Sequence, residues 1–413
     1  MGRQQLPPDE EEEEGWLSSS DVAALRAIKD SLTDIPGSNF LSTWDFSSRP
    51  RPCSTFAGIT CYAGRVTVLA LGTGLSGSPG LAGSLSPAIS NLTELTQLVL
   101  YPGLVTGPIP PLLGRRLRLI SLTSNRLTGP IPPSLSSLPL LHTLDLSHNQ
   151  LTGSIPAPLW SALPQLRVLI LSSNQLAGHL PAGDPRPQPQ RQRQRQAQVL
   201  LHLDLGSNRL TGTLPLRMLP SSLRYLSVSN NNVWGPLNGL EGLSELVYLD
   251  LSMNRFSGPI PPSLFRPTLS SLFLQRNNLS GALFPSTTSS SSNIPYSYPQ
   301  GSLLDLSHNS LAGPLPPLLA EVETLFLNNN RFTGAVPRQY VDSLYQGTTK
   351  TLYLHHNYLT GFPSYPQPGL PPSASLCLSY NCMLPLKAGL TACPASAGPH
   401  LSRPLSQCPV FNN

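Results

Sequence analysis

The chain has 413 residues, of which 39% are hydrophobic and only 11% are charged, with a formal net charge of +5. That length would accommodate several ordinary domains, but so low a charge density, with no basic run interleaved with aromatics, excludes a nucleic-acid-binding protein. No apolar stretch reaches the roughly 18 residues needed for a membrane-crossing helix, which excludes a span within this sequence.

Residues 1–17 read as a disordered tail, acidic without interruption from Asp9 to Glu14 and lacking an apolar leader. Residues 18–65 predict an N-terminal cap. Ser18 to Ser20 supply a helix N-cap, with Asp21 in the first turn. Val22, Leu25, Ile28 and Leu32 fall on one helical face, which the Pro36-Gly37 step ends. Trp44, Cys53 and Cys61 follow.

Residues 66–385 repeat the phrase LxxLxLxxNxLxGxIP every 23–25 residues. One copy runs Leu246, Leu249, Leu251, Asn254, Phe256, Gly258, Ile260, Pro261. The Leu-x-Leu core has strand alternation with one face buried. No single coil buries its leucines alone, whereas stacked coils cover each other, so the period predicts a solenoid. Asparagines at 125, 149, 174, 208, 231, 254, 277, 309, 330, 357 and 381 mark the turns. An Asn amide both donates and accepts, so each is expected to satisfy backbone groups on its own turn and on the next. With two Asn-less early copies, at Leu69 and Leu71 and at Leu98 and Leu100, about thirteen coils are expected. Inserts at 181–199 and 284–300 stretch two of the steps and read as loops. The first carries Arg186, Arg191, Arg193 and Arg195, part of a basic surplus suited to acidic partners such as pectic polysaccharide. Residues 386–413 lack the phrase and are expected to form a C-terminal cap.

All six cysteines lie at the ends: Cys53 and Cys61, then Cys377, Cys382, Cys393 and Cys408. Their even number in the two caps predicts disulfide staples and an oxidising compartment. Cys53–Cys61 is the natural first pair, and the last four leave three connectivities open. Zinc-like spacings with His are absent, so no metal or other cofactor is expected. Asn91-Leu-Thr and Asn278-Leu-Ser are glycosylation sequons.

The L-x-G-x-I-P continuation after the Asn resembles plant-type extracellular leucine-rich repeats. The segment from Asp21 to Leu32, with Trp44 and Cys53 to Cys61, resembles the cap that precedes them. Phe56 stands near the place of the family's usual Trp, before Gly58 and Ile59. The resemblance implies a right-handed leucine-rich-repeat arc, an α/β repeat solenoid with a concave parallel β-sheet, an irregular or 3-10 convex side and Cys-containing caps. It also implies secretion to the apoplast or cell wall. The family normally begins with a signal peptide, so a truncated gene model is expected here.

No catalytic constellation stands out, and no enzyme is expected. Asp145, Asp204, Asp250 and Asp305 read as a solvated stripe rather than an acid–base pair. The candidate ligand surface is aromatic. Outward strand slots hold Tyr225, Tyr248, Phe273, Phe326 and Tyr353, with Arg276, His355, His356 and Tyr380 beside them. Exposed aromatics with Arg are what binding hot spots use. The leading reading is an extracellular protein- or peptide-binding module in plant signalling or defence, without its own kinase or membrane span, either a soluble decoy or a co-receptor ectodomain partnering a receptor kinase. Two others stand beside it. One is an inhibitor of secreted wall-degrading enzymes, similar to polygalacturonase-inhibiting proteins. The other is a structural wall protein held to polysaccharide by its basic surface or by Tyr296-Ser-Tyr298.

Overall fold

The computed structural model describes residues 17–47, 50–72, 80–157, 159, 163–180, 199–284, 297–364, 369–383, 393–395 and 401–408. The acidic tail up to residue 16, the four insert arginines, Tyr296 and much of the expected C-terminal cap lie outside the described residues.

One coil shows why the repeat folds as it does. Leu246, Leu249, Leu251, Phe256, Ile260 and Leu264 are all buried. At about 1.5–3 kcal/mol per buried side chain, these six offset much of the cost of ordering the coil. Tyr248–Asp250 forms a short strand, Arg255–Gly258 a second, and Pro262–Leu264 a 3-10 turn. Gly258 sits at φ 82°, where a side chain would be strained. Between the strands, Asn254 is 9% exposed and spends its whole amide on backbone of its own coil and of the coil before it, rather than of the next coil as expected. Its Nδ2 donates to the carbonyls of Val228, Leu251 and Ser252 at 2.8, 3.3 and 3.1 Å. Its Oδ1 accepts the Val233 N–H at 2.9 Å. Asn149 does the same with Leu122, Leu146, Ser147 and Leu127.

The chain divides into two compact units, Met1–Arg209 and Leu210–Asn413. In the first, the strands from Arg65–Leu71 to His202–Asp204 pair in parallel as a main sheet. Leu81–Ser84, Leu104–Pro108, Arg126–Pro130 and Gln150–Thr152 form a second. Each begins with an antiparallel strand from the cap, Ile59–Tyr62 and Leu32–Asp34 respectively, which covers an edge. In the second unit, seven main strands from Tyr225–Ser227 to Ser375–Cys377 pair in parallel, each leucine opposite a leucine. The expected parallel sheet is present in each unit.

Several local expectations need correction. The first helix is Ser19–Asp30, so Leu32 belongs to a strand rather than to the helix. Asp21 is buried, where it accepts the Val66 N–H at 2.8 Å and pairs with Arg65 at 2.9 Å, instead of only facing the helix terminus. The aspartates between the core leucines are half-buried, not solvated. Asp145, Asp204, Asp250 and Asp305 each accept the N–H two residues on, all at 3.0 Å, and so close the turn. One coil carries a true helix, Arg338–Gln346, because Tyr340, Val341 and Leu344 share its buried face. The disulfides are Cys53–Cys61, Cys377–Cys393 and Cys382–Cys408, which resolves the connectivity of the last four.

Replacing Asn254 by Ala orphans a buried N–H and a buried carbonyl. The expected loss is about 2–4 kcal/mol, read as a lower denaturation midpoint. An unchanged midpoint would remove the ladder from the account of stability.

Candidate functional site

Each three-residue main strand of the second unit buries its central leucine, so the residues on either side point to the open face. The register sets Tyr225, Tyr248 and Ser271 in one row, and Asp250, Phe273, Asp305, Phe326 and Tyr353 in the next. Tyr225 and Tyr248 stack with ring centroids 4.2 Å apart and planes 5° from parallel. Phe273 tilts against Tyr248 at 5.4 Å. Phe326 and Tyr353 meet edge-on at 5.1 Å. The aromatic stripe is therefore two clusters in two rows, with Asp305 between Phe273 and Phe326.

A second file of side chains comes from the turns. The residue directly before every ladder Asn lies at positive φ, including Arg276, His308, Asn329, His356 and Tyr380 at 58, 55, 55, 55 and 57°. Arg276, His308, Asn329 and His356 line an open depression of about 490 Å³, together with Phe326 and Tyr353. Asn329 Nδ2 lies 3.4 Å from His308 Nε2. His356 contacts the Tyr380 ring at 4.8 Å between centroids.

His355 also lines this depression, but the structure corrects its expected exposure: it is 4% exposed. The slot two residues before the ladder Asn is a buried polar one, held elsewhere by Ser147, Ser252, Ser307 and Ser379. A histidine there is enclosed by the turn, and its Nδ1 finds no hydrogen-bond partner. Burial, with His356 and His308 nearby, pushes its imidazole down to about 4. Burial and then Arg276 lower His308 as well. Burial raises the Asp305 carboxyl, against the pull of its bonds to Ser307.

The C-terminal segment reaches the same region. Disulfide Cys377–Cys393 lies next to Pro394, which forms part of the depression's wall. Arg403 packs over the rings of Tyr358 and Tyr380 at 4.1 and 4.6 Å, and its Nε donates to the Asn357 carbonyl at 3.1 Å.

The remaining expected features are dispersed. Asn91 and Asn278 are exposed, on a 3-10 turn and a strand well apart in sequence. Tyr298 is 5% exposed, so it does not present a ring for a wall tether. Among the described residues, no group of three or more His, Cys, Asp or Glu is placed to hold a metal, and no helix is long and apolar enough to cross a membrane. Sequence reasoning missed Asp305, His308, Asn328 and Asn329 as lining residues. Their signal was present, since they fill the same repeat slots as Phe326, His356, His355 and Arg276.

Comparison with known proteins bears on the cap and the repeats. Residues 18–62 match the leucine rich repeat N-terminal domain, while 115–176 and 245–266 match leucine rich repeat models. The chain therefore carries a leucine-rich-repeat N-terminal domain followed by leucine-rich repeats. It is 31% identical over 237 residues to the receptor-like protein kinase BRI1-like 3 of Arabidopsis thaliana, covering 55% of this chain and 17% of that one. It resembles the solved plant peptide hormone receptor RGFR1 in complex with RGF2 at a TM-score of 0.59 and 26% identity, over 73% of this chain and 46% of that one. A plant ice-binding protein shares the fold at a TM-score of 0.55 and 22% identity, over 87% of this chain and 99% of that one. The leucine-rich-repeat chain thus spans only a minor part of the kinase and under half of the hormone receptor.

The buried His355 makes stability depend on acidity. Its folded-state value lies below the unfolded one, so the unfolded chain binds the proton first as pH falls. Stability is then full above about pH 6.5 and declines toward about pH 4. Allowing for the open side of the depression, the expected loss from this residue is about 1–2 kcal/mol. Melting curves at neutral and acid pH should show a smaller acid loss in His355→Asn than in the wild type; equal losses would count against the buried neutral imidazole.

Proposed function

We propose that this leucine-rich-repeat chain is an extracellular peptide- or protein-binding module whose recognition surface is the open main-sheet face of Leu210–Asn413. The observation that carries the reading is the pairing of two half-buried aromatic clusters with a depression lined by Arg276 and histidines. The strands beneath need leucines only on their inner side. Nothing in the packing of the coil calls for rings at Tyr225, Tyr248, Phe273, Phe326 and Tyr353 on the other.

Rigid aromatics give large contact area at little entropic cost, and Arg adds directional charge. Extended backbone and short turns hold these groups in fixed register, which limits the ordering a ligand must bring about. Three disulfides suit an oxidising compartment, in keeping with an apoplastic location. The receptor RGFR1, solved as a complex with RGF2, supports a peptide as the ligand class.

The full chain, immobilised, should enrich binders from a random-peptide display library. The triple variant Phe273→Ala, Phe326→Ala, Tyr353→Ala should bind the enriched peptides at least about tenfold more weakly, since each anchor contributes about 1 kcal/mol or more. No enrichment, or equal binding by the variant, would overturn the assignment of this face.

A further inference from the structure

Resting on that reading of the face, we propose that its depression receives an oxyanion of the ligand, a carboxylate or a sulfate or phosphate ester, and that His308 and His355, which line it, take up protons as the anion binds. The lining has an excess of donors. The Arg276 guanidinium, which lines the depression, makes no hydrogen bond or close ion pair among the described residues. His355 has a buried Nδ1 without a partner, which becomes a donor when the ring is protonated. Asn328 and Asn329 add side-chain amides. Asp305 is the one carboxylate lining the depression among the described residues, and its Oδ1 already accepts the Ser307 N–H at 3.0 Å. Phe326 and Tyr353 offer the carbon skeleton of such a ligand an apolar wall.

The ionisable neighbours come from three of the four turns around the depression, the fourth supplying Asn328 and Asn329. Arg276 follows strand Ser271–Phe273, Asp305 ends strand Leu303–Asp305 with His308 three residues on, and His355 and His356 follow Thr351–Tyr353. Tyr380 borders His356 at 4.8 Å, and Arg403 lies over the Tyr380 ring at 4.6 Å. On acidification His308 and His355 gain positive charge and Asp305 loses negative charge. Both changes favour an anion, so a bound anion must in turn favour protonation.

Sulfate and formate test this, because both stay anionic between about pH 5 and pH 7.5. Calorimetry on the full chain, with chloride matching the ionic strength, should show at least one of them binding about tenfold more tightly near pH 5 than near pH 7.5. Arg276→Gln should weaken that binding at both pH values, and His308→Gln should flatten its pH dependence. A preference for sulfate points to a tetrahedral ester and a preference for formate to a carboxylate; either supports the proposal. Binding of neither anion, equal binding at both pH values, or binding indifferent to Arg276→Gln overturns it. If peptide selection still depends on the aromatic rings while both anions fail, only the oxyanion site falls.

Discussion

The asparagine amide carries the architecture. At each turn the backbone must leave the main strand sharply, and it does so by placing one non-glycine residue in the left-handed region. Such a conformation costs on the order of 1–2 kcal/mol. The amide that follows offsets it with up to four backbone bonds, reaching the coil before as well as its own. Coil stacking and turn geometry are therefore one interaction. The ladder makes no use of the left-handed residue's side chain, which is why Ser124, Met253, Arg276 and Tyr380 all occupy the same place. The position is fixed in space and open in identity, the combination that a recognition surface requires.

The two units use that freedom differently. In Met1–Arg209 the row between the core leucines reads Ser121, Asp145, Ile170, Asp204. In Leu210–Asn413 it reads Asp250, Phe273, Asp305, Phe326, Tyr353. Strand pairing and leucine burial are the same in both. Between these strands the difference lies in side chains outside the buried leucine rows, so it is not dictated by the leucine core.

Most of the fold could be read from the sequence, because a repeat announces its own register. Once the leucines were aligned, the strands, the ladder and the outward slots followed, and with them the aromatic residues of the candidate site. What escaped depended on contacts between distant segments or on sterics within the turn. Burial of Asp21 needs Arg65 and the Val66 N–H, 44 and 45 residues away. The pairing of Cys377 with Cys393 depends on how the terminal segment crosses the last coil. His355 looked like a surface residue beside His356, since side-chain alternation says nothing about a turn. Comparing its slot with Ser252 and Ser307 would have shown a buried polar position.

The C-terminal end joins stability to recognition. A parallel sheet that simply stops leaves backbone groups and leucines facing water. Here the last coil is met by residues 401–408: Tyr380 N–H donates to Leu401, and Arg403 N–H to Asn381. Cys382–Cys408 fastens this segment, and Arg403 settles between the rings of Tyr358 and Tyr380. Tyr380 is also the neighbour of His356, while Cys377–Cys393 sets Pro394 against the depression. The groups that close the core thus also bound the cavity. A ligand seated there would press on the same side chains that hold the terminal segment in place. Its binding energy would add to the stability of that end of the stack in proportion to occupancy, as mass action requires of any ligand that prefers the folded chain.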